Sequence, residues 1–506
     1  MLKSNVAIQE NPRMLEKLKR IRESVGSSNT QGLPDDVIER FLEKDELLGR
    51  AIAEAEENFQ VYQNDFPELL KMPDNAAIEH IQDGVVNFYP ELQVNPYISL
   101  AAKGPWVVTL HGAVLHDSGG YGMLGLGHGP DSILEVLSKN HVMANVMTPS
   151  LSHKKLINRL IQEIGRGRKD QGKIFEKFLF MNSGSEAVTV ALRIADLNAK
   201  IQTDQGGPHQ GKSIKILAHA GGFHGRTDRP AQASDSTYKA CRNLASFREK
   251  DNLLRVEIND TEGLKKIFEK VDQENLFVEM FLMEPVMGEG NPGAGVTSEY
   301  YNLARKLTKE RGTLLLVDSI QAGLRAHGCL SIVDYPGFES VEPPDCETYS
   351  KALNAGQYPL SVLAMTNKTA SIYLKGVYGN TMTANPRALE VACMVLDQLS
   401  EGIRKNIQDR GQEFIEKFKG LQEEFPRAVT GVSGTGLLCA LHLSEDGYQV
   451  VGAKGVELLM RQKGIGVIHG GKNALRFTPH FQITSAEIDL VISVIRDALK
   501  LGPVFE

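Results

Sequence analysis

Short apolar runs alternate with amphipathic helical patterns between residues 150 and 390 of this 506-residue chain. The run "KFLFM" is followed by the helical pattern "SEAVTVALRIADLNAK" and then by "IKILAHA". The same order returns in "NLFVEMFLM", "SEYYNLARKLTKERG" and "TLLLVDSI", and "PLSVLAMT" closes the series. This alternation predicts a largely parallel sheet with helices on both faces. Ligand sites in such sheets lie where the carboxyl ends of the strands open into a crevice.

The rest of the chain divides around this segment. Residues 1–95 are polar and predict an N-terminal helical extension, whereas residues 96–150 alternate and break on glycine, which predicts strands joined by turns. We assign residues 96–150 to the N-terminal part of a smaller α+β domain and residues 151–390 to the large domain. Residues 391–506 combine helical patterns with short strands and predict the C-terminal part of the smaller domain.

The composition argues against several classes of partner. A net charge of −7 gives no reason to expect nucleic acid or an anionic membrane. No apolar stretch reaches the length of a membrane span, and the first residues lack the apolar segment of a secretion signal. The five cysteines are scattered without a C-x-x-C pair, so we expect reduced thiols, a cytoplasmic protein and no metal site.

Two residues at predicted strand ends suggest a cofactor. The buried run "TLLLVDSI" leads into Asp318, a carboxylate that is costly to bury without a positive partner. Lys351 lies 33 residues later, after the polar run "PDCETYS". Taken singly, each has an ordinary explanation, because an acid can cap a loop and most lysines are solvated.

Three loops could surround such a cofactor. "NSGSEA" places Gly184 and Ser185 at a helix start, where free N–H groups and the helix dipole favour an anion, although a serine N-cap explains the same letters. "YGNTMTANP" offers Thr381 before another helix. "GGFHGRT" sets Phe223 and His224 between glycines, where an aromatic ring could stack on a flat ligand or simply pack.

Together these pieces indicate pyridoxal phosphate. That cofactor needs an acid against its ring nitrogen, a lysine for a Schiff base and a phosphate cradle. Asp318 would then face the protonated pyridine nitrogen. The alternative outside this class is a nucleotide-dependent oxidoreductase, because Gly120, Gly122 and Gly125 match G-x-G-x-x-G. This segment does not open a predicted helix, which disfavours that alternative.

The chain resembles the class III aminotransferases of fold type I, the ornithine- and aminobutyrate-type enzymes. The resemblance rests on "NSGSEA", "FHGRT", "EPVMGEG", "LLLVDSIQAG", "SKALNAG", "GNTMTANP" and "LRFTPHFQIT", in the family's order over roughly residues 100–490. It implies a large domain with a mostly parallel seven-stranded sheet, a smaller α+β domain, and a homodimer with shared active sites. Ser319 stands where the family usually has glutamate, and the N-terminal 90 residues exceed what most members carry.

The resemblance also implies roles for individual residues. Lys351 would be the Schiff-base lysine, Asp318 the ring-nitrogen acid, and Gln321 the partner of the phenolic oxygen. Phe223 or His224 would lie against the ring face. The remaining implied contacts are cofactor-binding Gly184, Ser185, Glu284 and Thr381, the last from the other subunit, and substrate-binding Arg476 and Glu289.

The implied reaction moves an amino group, including a terminal one, from an amino acid or amine to a keto acid such as 2-oxoglutarate or pyruvate. Arg476 would clamp the carboxylate of glutamate, and Glu289 would neutralise Arg476 when the other substrate is bound. An ordinary ion pair between domains explains the same two residues. Racemases, aminomutases and lyases share the first steps and stay open as alternatives. A non-catalytic protein is disfavoured because Lys351 is intact.

Overall fold

A computed structural model of the protein describes residues 2–143, 146–168, 173–247 and 252–503. Its strands are β1 (Ser99–Lys103), β2 (Trp106–Thr109), β3 (Val114–Asp117), β4 (Lys177–Met181), β5 (Ser213–His219), β6 (Leu253–Val256), β7 (Leu276–Met283), β8 (Leu314–Asp318), β9 (Cys346–Tyr349), β10 (Ser361–Met365), β11 (Val429–Thr435), β12 (Leu438–Leu443), β13 (Ile465–Gly466), β14 (Ile468–Gly470) and β15 (Ala474–Phe477).

The helices cover these strands and form the N-terminal region. They are α1 (Leu2–Ser24), α2 (Asp35–Leu42), α3 (Glu46–Asp65), α4 (Pro67–Lys71), α5 (Asp74–Gln82), α6 (Asp131–Ser138), α7 (Leu151–Glu163), α8 (Gly184–Thr203), α9 (Asp228–Ala233), α10 (Tyr238–Cys241), α11 (Thr261–Gln273), α12 (Ser298–Glu310), α13 (Asn367–Ile372), α14 (Pro386–Gln398), α15 (Glu401–Glu424), α16 (Val456–Gln462) and α17 (Ser485–Lys500).

A seven-stranded sheet forms the centre of the molecule, in the order β4-β10-β9-β8-β7-β5-β6. Neighbours from β9 through β6 are parallel, and β10 is antiparallel to both β4 and β9. Strand β8 is buried along its whole length because helices cover both faces, which explains its continuous apolar run. The expected mostly parallel α/β sheet of fold type I is confirmed.

Strand β9 differs from the sequence-based expectation. The letters "CETY" belong to what we interpreted as a polar run before Lys351, but all four residues are buried in the middle of the sheet. The buried Thr348 hydroxyl donates to the Asp318 carboxylate at 3.1 Å, and the buried Glu347 accepts from two serine hydroxyls. Because these polar groups find partners inside the protein, an apolar pattern is not needed for burial.

The two smaller sheets join distant parts of the chain. One has the order β1-β2-β3-β13, in which Ile465 of β13 pairs with His116 of β3, and the other has the order β11-β12-β15-β14. Helix α3 packs on β1 and β2, and the Trp106 indole donates to Asp45 at 2.6 Å. Strands from residues 96–150 and 391–506 therefore share a sheet, while the exact domain boundaries stay a prediction.

The described ranges contain no helix that is long and apolar enough to cross a membrane. The five cysteines are all free thiols.

Candidate active site

A cavity of about 160 Å³ lies at the carboxyl ends of the central strands. Asp318 ends β8, Glu284 follows β7, and Lys351 follows β9. The three ionisable groups therefore lie together at the carboxyl ends of three neighbouring strands. The eight predicted residues that line this cavity are Gly184, Ser185, Phe223, His224, Glu284, Asp318, Gln321 and Lys351.

Asp318 is held from three directions. Its Oδ2 lies 2.8 Å from His224 Nδ1, and its Oδ1 accepts from the Thr348 hydroxyl at 3.1 Å and the Ile320 N–H at 3.2 Å. Asp318 and His224 are both buried. The imidazole of His224 is therefore fixed against the acid. Of the two candidates for the ring face, Phe223 is the one whose side chain is not tied to Asp318 in this way.

Glu284 completes a buried group of two carboxyls and one imidazole. Its Oε1 accepts from the Phe223 N–H at 2.9 Å and its Oε2 from the Gly288 N–H at 2.8 Å. Burial raises the pKa of Glu284 to about 7, against the opposing effect of His224. Burial alone would lower the pKa of His224, but its hydrogen bond with Asp318 raises that pKa above the usual value. The imidazole thus lies against Asp318 and takes up a proton more readily than an ordinary histidine.

Lys351 adopts a left-handed backbone conformation, with φ of 43°, which is uncommon for a side chain of this size. Its Nζ donates to Gln321 Oε1 at 2.8 Å. Burial lowers the pKa of Lys351 to about 8, and the nearby Arg476 guanidinium acts in the same direction. A larger fraction of the amine is therefore unprotonated at neutral pH than in an exposed lysine, which favours its action as a nucleophile and base.

The start of α8 also lines the cavity. Ser183 is the N-cap and makes a capping box with Glu186, which leaves Gly184 and Ser185 in the first turn, where backbone N–H groups have no partner within the helix. A Cβ on Gly184 would lie 2.7 Å from Ile320, and a Cβ on Gly225 would overlap the Ser185 hydroxyl. Close packing of glycines at a helix start fits an anionic group such as phosphate.

These features fit pyridoxal phosphate. The cavity has an acid at the end of β8, an amine after the neighbouring strand β9, and a helix start whose free N–H groups suit an anion. It also has two buried nitrogen atoms without a hydrogen-bond partner among the described residues, Gln321 Nε2 and His224 Nε2. Polar groups of this kind are costly unless a ligand or water meets them.

Arg476 and Glu289 meet beside the cavity. Arg476 in β15 is almost completely buried, and its Nη1 donates to Glu289 Oε2 at 2.9 Å and to the Gly288 carbonyl. Its Nε has no hydrogen-bond partner in the described part of the chain. The guanidinium lies 5.7 Å from the centre of the Tyr121 ring. The Arg476 Nε thus remains available to a ligand as far as the described residues go, while Glu289 balances the charge of the guanidinium.

Three residues that the sequence did not single out form a rim at this site. The Tyr89 and Tyr121 rings stack with centroids 6.1 Å apart, and Arg226 lies 5.6 Å from the Tyr89 ring and 5.7 Å from the Phe223 ring. This row links Arg226 to Arg476 through aromatic rings. Arg226 could have been noticed in "FHGRT", but no local signal marks Tyr89, which lies after α5 near the end of the N-terminal extension.

Thr381 lies apart from the other predicted cofactor contacts. It is exposed, and it does not line the cavity of its own chain. The helix expected after it begins at Pro386, as α14. The glycine-rich segment at Gly120–Gly122 is a short 3-10 turn that does not open an α-helix, which disfavours the dinucleotide alternative.

One group of side chains suited to metal binding lies together in the described ranges, formed by His116, His480 and Glu487. Glu487 Oε1 lies 3.1 Å from His116 Nε2 and 3.0 Å from His480 Nε2, and its Oε2 accepts from the Thr484 N–H at 2.7 Å. Hydrogen bonding and helix capping account for this arrangement.

The family described as aminotransferase class-III matches residues 89–499. The chain belongs to this family. Among relatives of the enzyme, the acetylornithine aminotransferase of Ralstonia nicotianae is 30% identical over 402 residues, which are 79% of this chain and 93% of that protein. The ornithine aminotransferase of Staphylococcus carnosus is 27% identical over 413 residues, or 80% of this chain and 95% of that protein.

Solved aminotransferase structures share the fold. The ornithine aminotransferase of Toxoplasma gondii superimposes with a TM-score of 0.72 at 23% identity, covering 88% of this chain and 98% of that one. The acetylornithine aminotransferase of Elizabethkingia anophelis gives a TM-score of 0.68 at 23% identity, covering 85% and 100%. The protein is thus a class III aminotransferase that depends on pyridoxal phosphate, which confirms the predicted family, fold, cofactor and amino-group transfer.

Proposed function

We propose that this aminotransferase takes the terminal amino group of a donor that also carries a carboxylate and passes it to a keto acid, with 2-oxoglutarate preferred over pyruvate. The observation that carries the proposal is the buried Arg476 guanidinium, whose Nε has no hydrogen-bond partner among the described residues and whose charge is balanced by Glu289. A second carboxylate on the acceptor would complete the hydrogen bonding of this arginine. Pyruvate has only one carboxylate.

Arg476 and Glu289 would let one pocket accept two unlike substrates. With the dicarboxylate bound, Arg476 pairs with the substrate. With the donor's amine end bound, Glu289 keeps Arg476 neutralised, so the pocket presents no uncompensated charge. At the other end of the aromatic rim, the exposed Arg226 would meet the donor's own carboxylate. Supporting relatives are named as acetylornithine and ornithine aminotransferases.

The roles of the cavity residues follow from their chemistry. Bound pyridoxal phosphate supplies an electron sink when a proton leaves the donor carbon. We assign to Lys351 the covalent attachment of the cofactor and the transfer of that proton through its Nζ. Asp318 would hold the proton on the ring nitrogen, with His224 fixing its carboxylate. Gln321 would contact the phenolic oxygen, Phe223 the ring face, and Gly184 and Ser185 the phosphate.

The experiment is to add single donors to the purified enzyme and record the visible absorption of its cofactor. We expect ornithine, N-acetylornithine, lysine or 4-aminobutyrate to bleach the band, and 2-oxoglutarate to restore it. A simple alkylamine without a carboxylate should react far more slowly. Should these four donors leave the band unchanged while an amino acid without a terminal amine bleaches it, the transferred group would not be a terminal amine.

Matched arginine variants sharpen this test. Arg476→Gln is expected to raise the KM for 2-oxoglutarate about tenfold or more, because a charge-assisted hydrogen bond is worth roughly 1.5–3 kcal/mol. Arg226→Gln should leave that KM unchanged and raise the KM for the donor. An unchanged KM for 2-oxoglutarate in Arg476→Gln would place the acceptor carboxylate elsewhere.

We further propose a homodimer in which Thr381 contacts the phosphate bound by the partner subunit. The proposal is supported by the family resemblance and by the exposure of Thr381 outside its own chain's cavity. Thr381→Glu would then repel the phosphate and inactivate the enzyme. Unfolding and refolding an equal mixture of Thr381→Glu and Lys351→Ala chains should restore about a quarter of wild-type activity, because half of the dimers hold one intact site.

Two outcomes bear against the shared site. Complete absence of activity in the refolded mixture, with mixed dimers demonstrated by differently tagged chains, would place both residues in one subunit's site. A monomer in sedimentation experiments would remove the dimer itself. We also propose the cytoplasm as the location, since all five cysteines are free thiols.

A further inference from the structure

The turn after β8 presents its residues to two different sides. Asp318, Ile320 and Gln321 line the cofactor cavity. Ser319 between them points away from it, is 1% exposed, and places its hydroxyl 2.5 Å from Glu347 Oε1. The one residue of this turn that does not face the cavity is therefore attached to a buried carboxyl behind it.

The hydrogen bonds that Glu347 accepts from the described residues all come from uncharged donors. Glu347 is 0% exposed in β9, and besides Ser319 it accepts from the Ile332 N–H at 3.1 Å and from the Ser331 hydroxyl at 2.5 Å. Burial raises its pKa to about 7, although these hydrogen bonds act in the opposite direction. A buried carboxyl without a basic partner is costly, so its retention calls for a specific role.

The same strand pair carries both groups that we assign to catalysis. Val317 pairs with Glu347 and Asp318 with Thr348 across β8 and β9. The Ser319 N–H donates to the Thr348 carbonyl at 3.0 Å, and Lys351 lies two residues beyond the end of β9. Glu347 thus joins the turn that holds Asp318 to the strand that leads to Lys351, and it joins both to the turn at Ser331.

We propose that Glu347 is a positioning residue of the active site, which supplies from β9 the acid that the family usually carries at position 319. The inference rests on the roles proposed above for Asp318, Gln321 and Lys351. Ser319 and Glu347 bond to each other, so a carboxyl from either strand could occupy the space between them and reach Ser331. A shift of about 1 Å in such supports can cost 10²-fold in rate.

Exchanging the two residues tests this proposal in the holoenzyme. Ser319→Glu puts two acids in one buried space, and Glu347→Ser leaves that space without an acid. Each single variant is expected to weaken cofactor binding about tenfold or more, which corresponds to roughly 1.4 kcal/mol, and to alter the visible spectrum of the bound cofactor. The double variant Ser319→Glu/Glu347→Ser should recover most of the affinity and the original spectrum.

Glu279→Gln is the matched control. Glu279 lies in β7, is 2% exposed, pairs with Arg229, and has its pKa raised by burial to about 7. The Glu279→Gln substitution should lower the melting temperature without changing the dissociation constant or the spectrum of the cofactor. Glu347→Gln keeps the shape of the side chain and one of its two acceptor oxygens, so it covers the case in which a single variant fails to fold, and it should weaken cofactor binding less than Glu347→Ser.

Two results would overturn the positioning role. One is that the Glu347 variants behave as Glu279→Gln does, losing only thermal stability. The other is that the exchanged double variant binds the cofactor no better than the weaker single variant. Neither result touches the proposed reaction, which would fail separately if the wild-type enzyme bound pyridoxal phosphate but transferred no amino group.

Discussion

Lys351→Ala is expected to lower kcat by at least about 10³-fold, because it would remove both groups of the proposed role, the covalent attachment of the cofactor and the amine that moves the proton. Borohydride treatment of the wild-type enzyme should leave the cofactor bonded to the peptide that contains Lys351. The same treatment of Lys351→Ala should leave no bonded cofactor. Stopped-flow absorbance and peptide mass spectrometry measure the two effects.

A second lysine provides the control. Lys103 is also buried. It lies in β1 of a small sheet, next to β2, and its Nζ donates to Asp131 at 2.6 Å. Lys103→Ala should lower the melting temperature and leave both kcat and borohydride labelling intact. Turnover by Lys351→Ala at a rate near that of the wild type would contradict the assignment of the lysine.

Asp318→Asn is expected to reduce kcat by about 10²-fold or more while the cofactor still binds. The amide keeps the shape of the side chain but removes the negative charge that would hold a proton on the ring nitrogen, and electrostatic stabilisation of this kind is worth roughly 3 kcal/mol or more. The hydrogen bond with His224, now 2.8 Å long, would also weaken. Single-turnover rates with a saturating donor measure the loss.

Asp345→Asn distinguishes a catalytic acid from a structural one. Asp345 is buried just before β9, where it accepts from Arg305 at 2.6 Å and from the Leu315 N–H at 2.8 Å. Its replacement should cost stability through the broken ion pair and leave the single-turnover rate nearly unchanged. If the rate of Asp318→Asn instead matched that of Asp345→Asn, the ring nitrogen would face a different residue.

Local sequence determined the central sheet and most of the candidate site. Strand β8 is a continuous apolar run up to Asp318, and β7 is apolar apart from Glu279, because both faces of these strands are covered; such runs can be recognised without knowing their neighbours. Asp318 could be placed at the end of a strand, because it ends such a run. Gly184 could be placed at the start of a helix, because a helical pattern follows it. Because the carboxyl ends of parallel strands lie at the same edge of a sheet, the parallel sheet brings these residues to one edge.

Other features depended on contacts between distant residues. Strand β9 escaped recognition because Glu347 is polar, and its burial depends on hydrogen bonds from Ser319, Ser331 and the Ile332 N–H, which lie outside the strand. Phe223 and His224 are neighbours in the chain and have similar local sequence. They differ in the tertiary structure because the His224 side chain lies against Asp318.

The residues at the rim of the site also depended on contacts between distant parts of the chain. Tyr89 comes from the segment after the N-terminal helices and meets Tyr121, while Arg476 reaches that ring from β15 near the other end of the chain. Periodicity and capping signals extend over a few residues, so they fix helices, strands and their ends. Which side chains share a pocket depends on how those elements pack, and that packing is set by burial and hydrogen bonding summed over the whole chain.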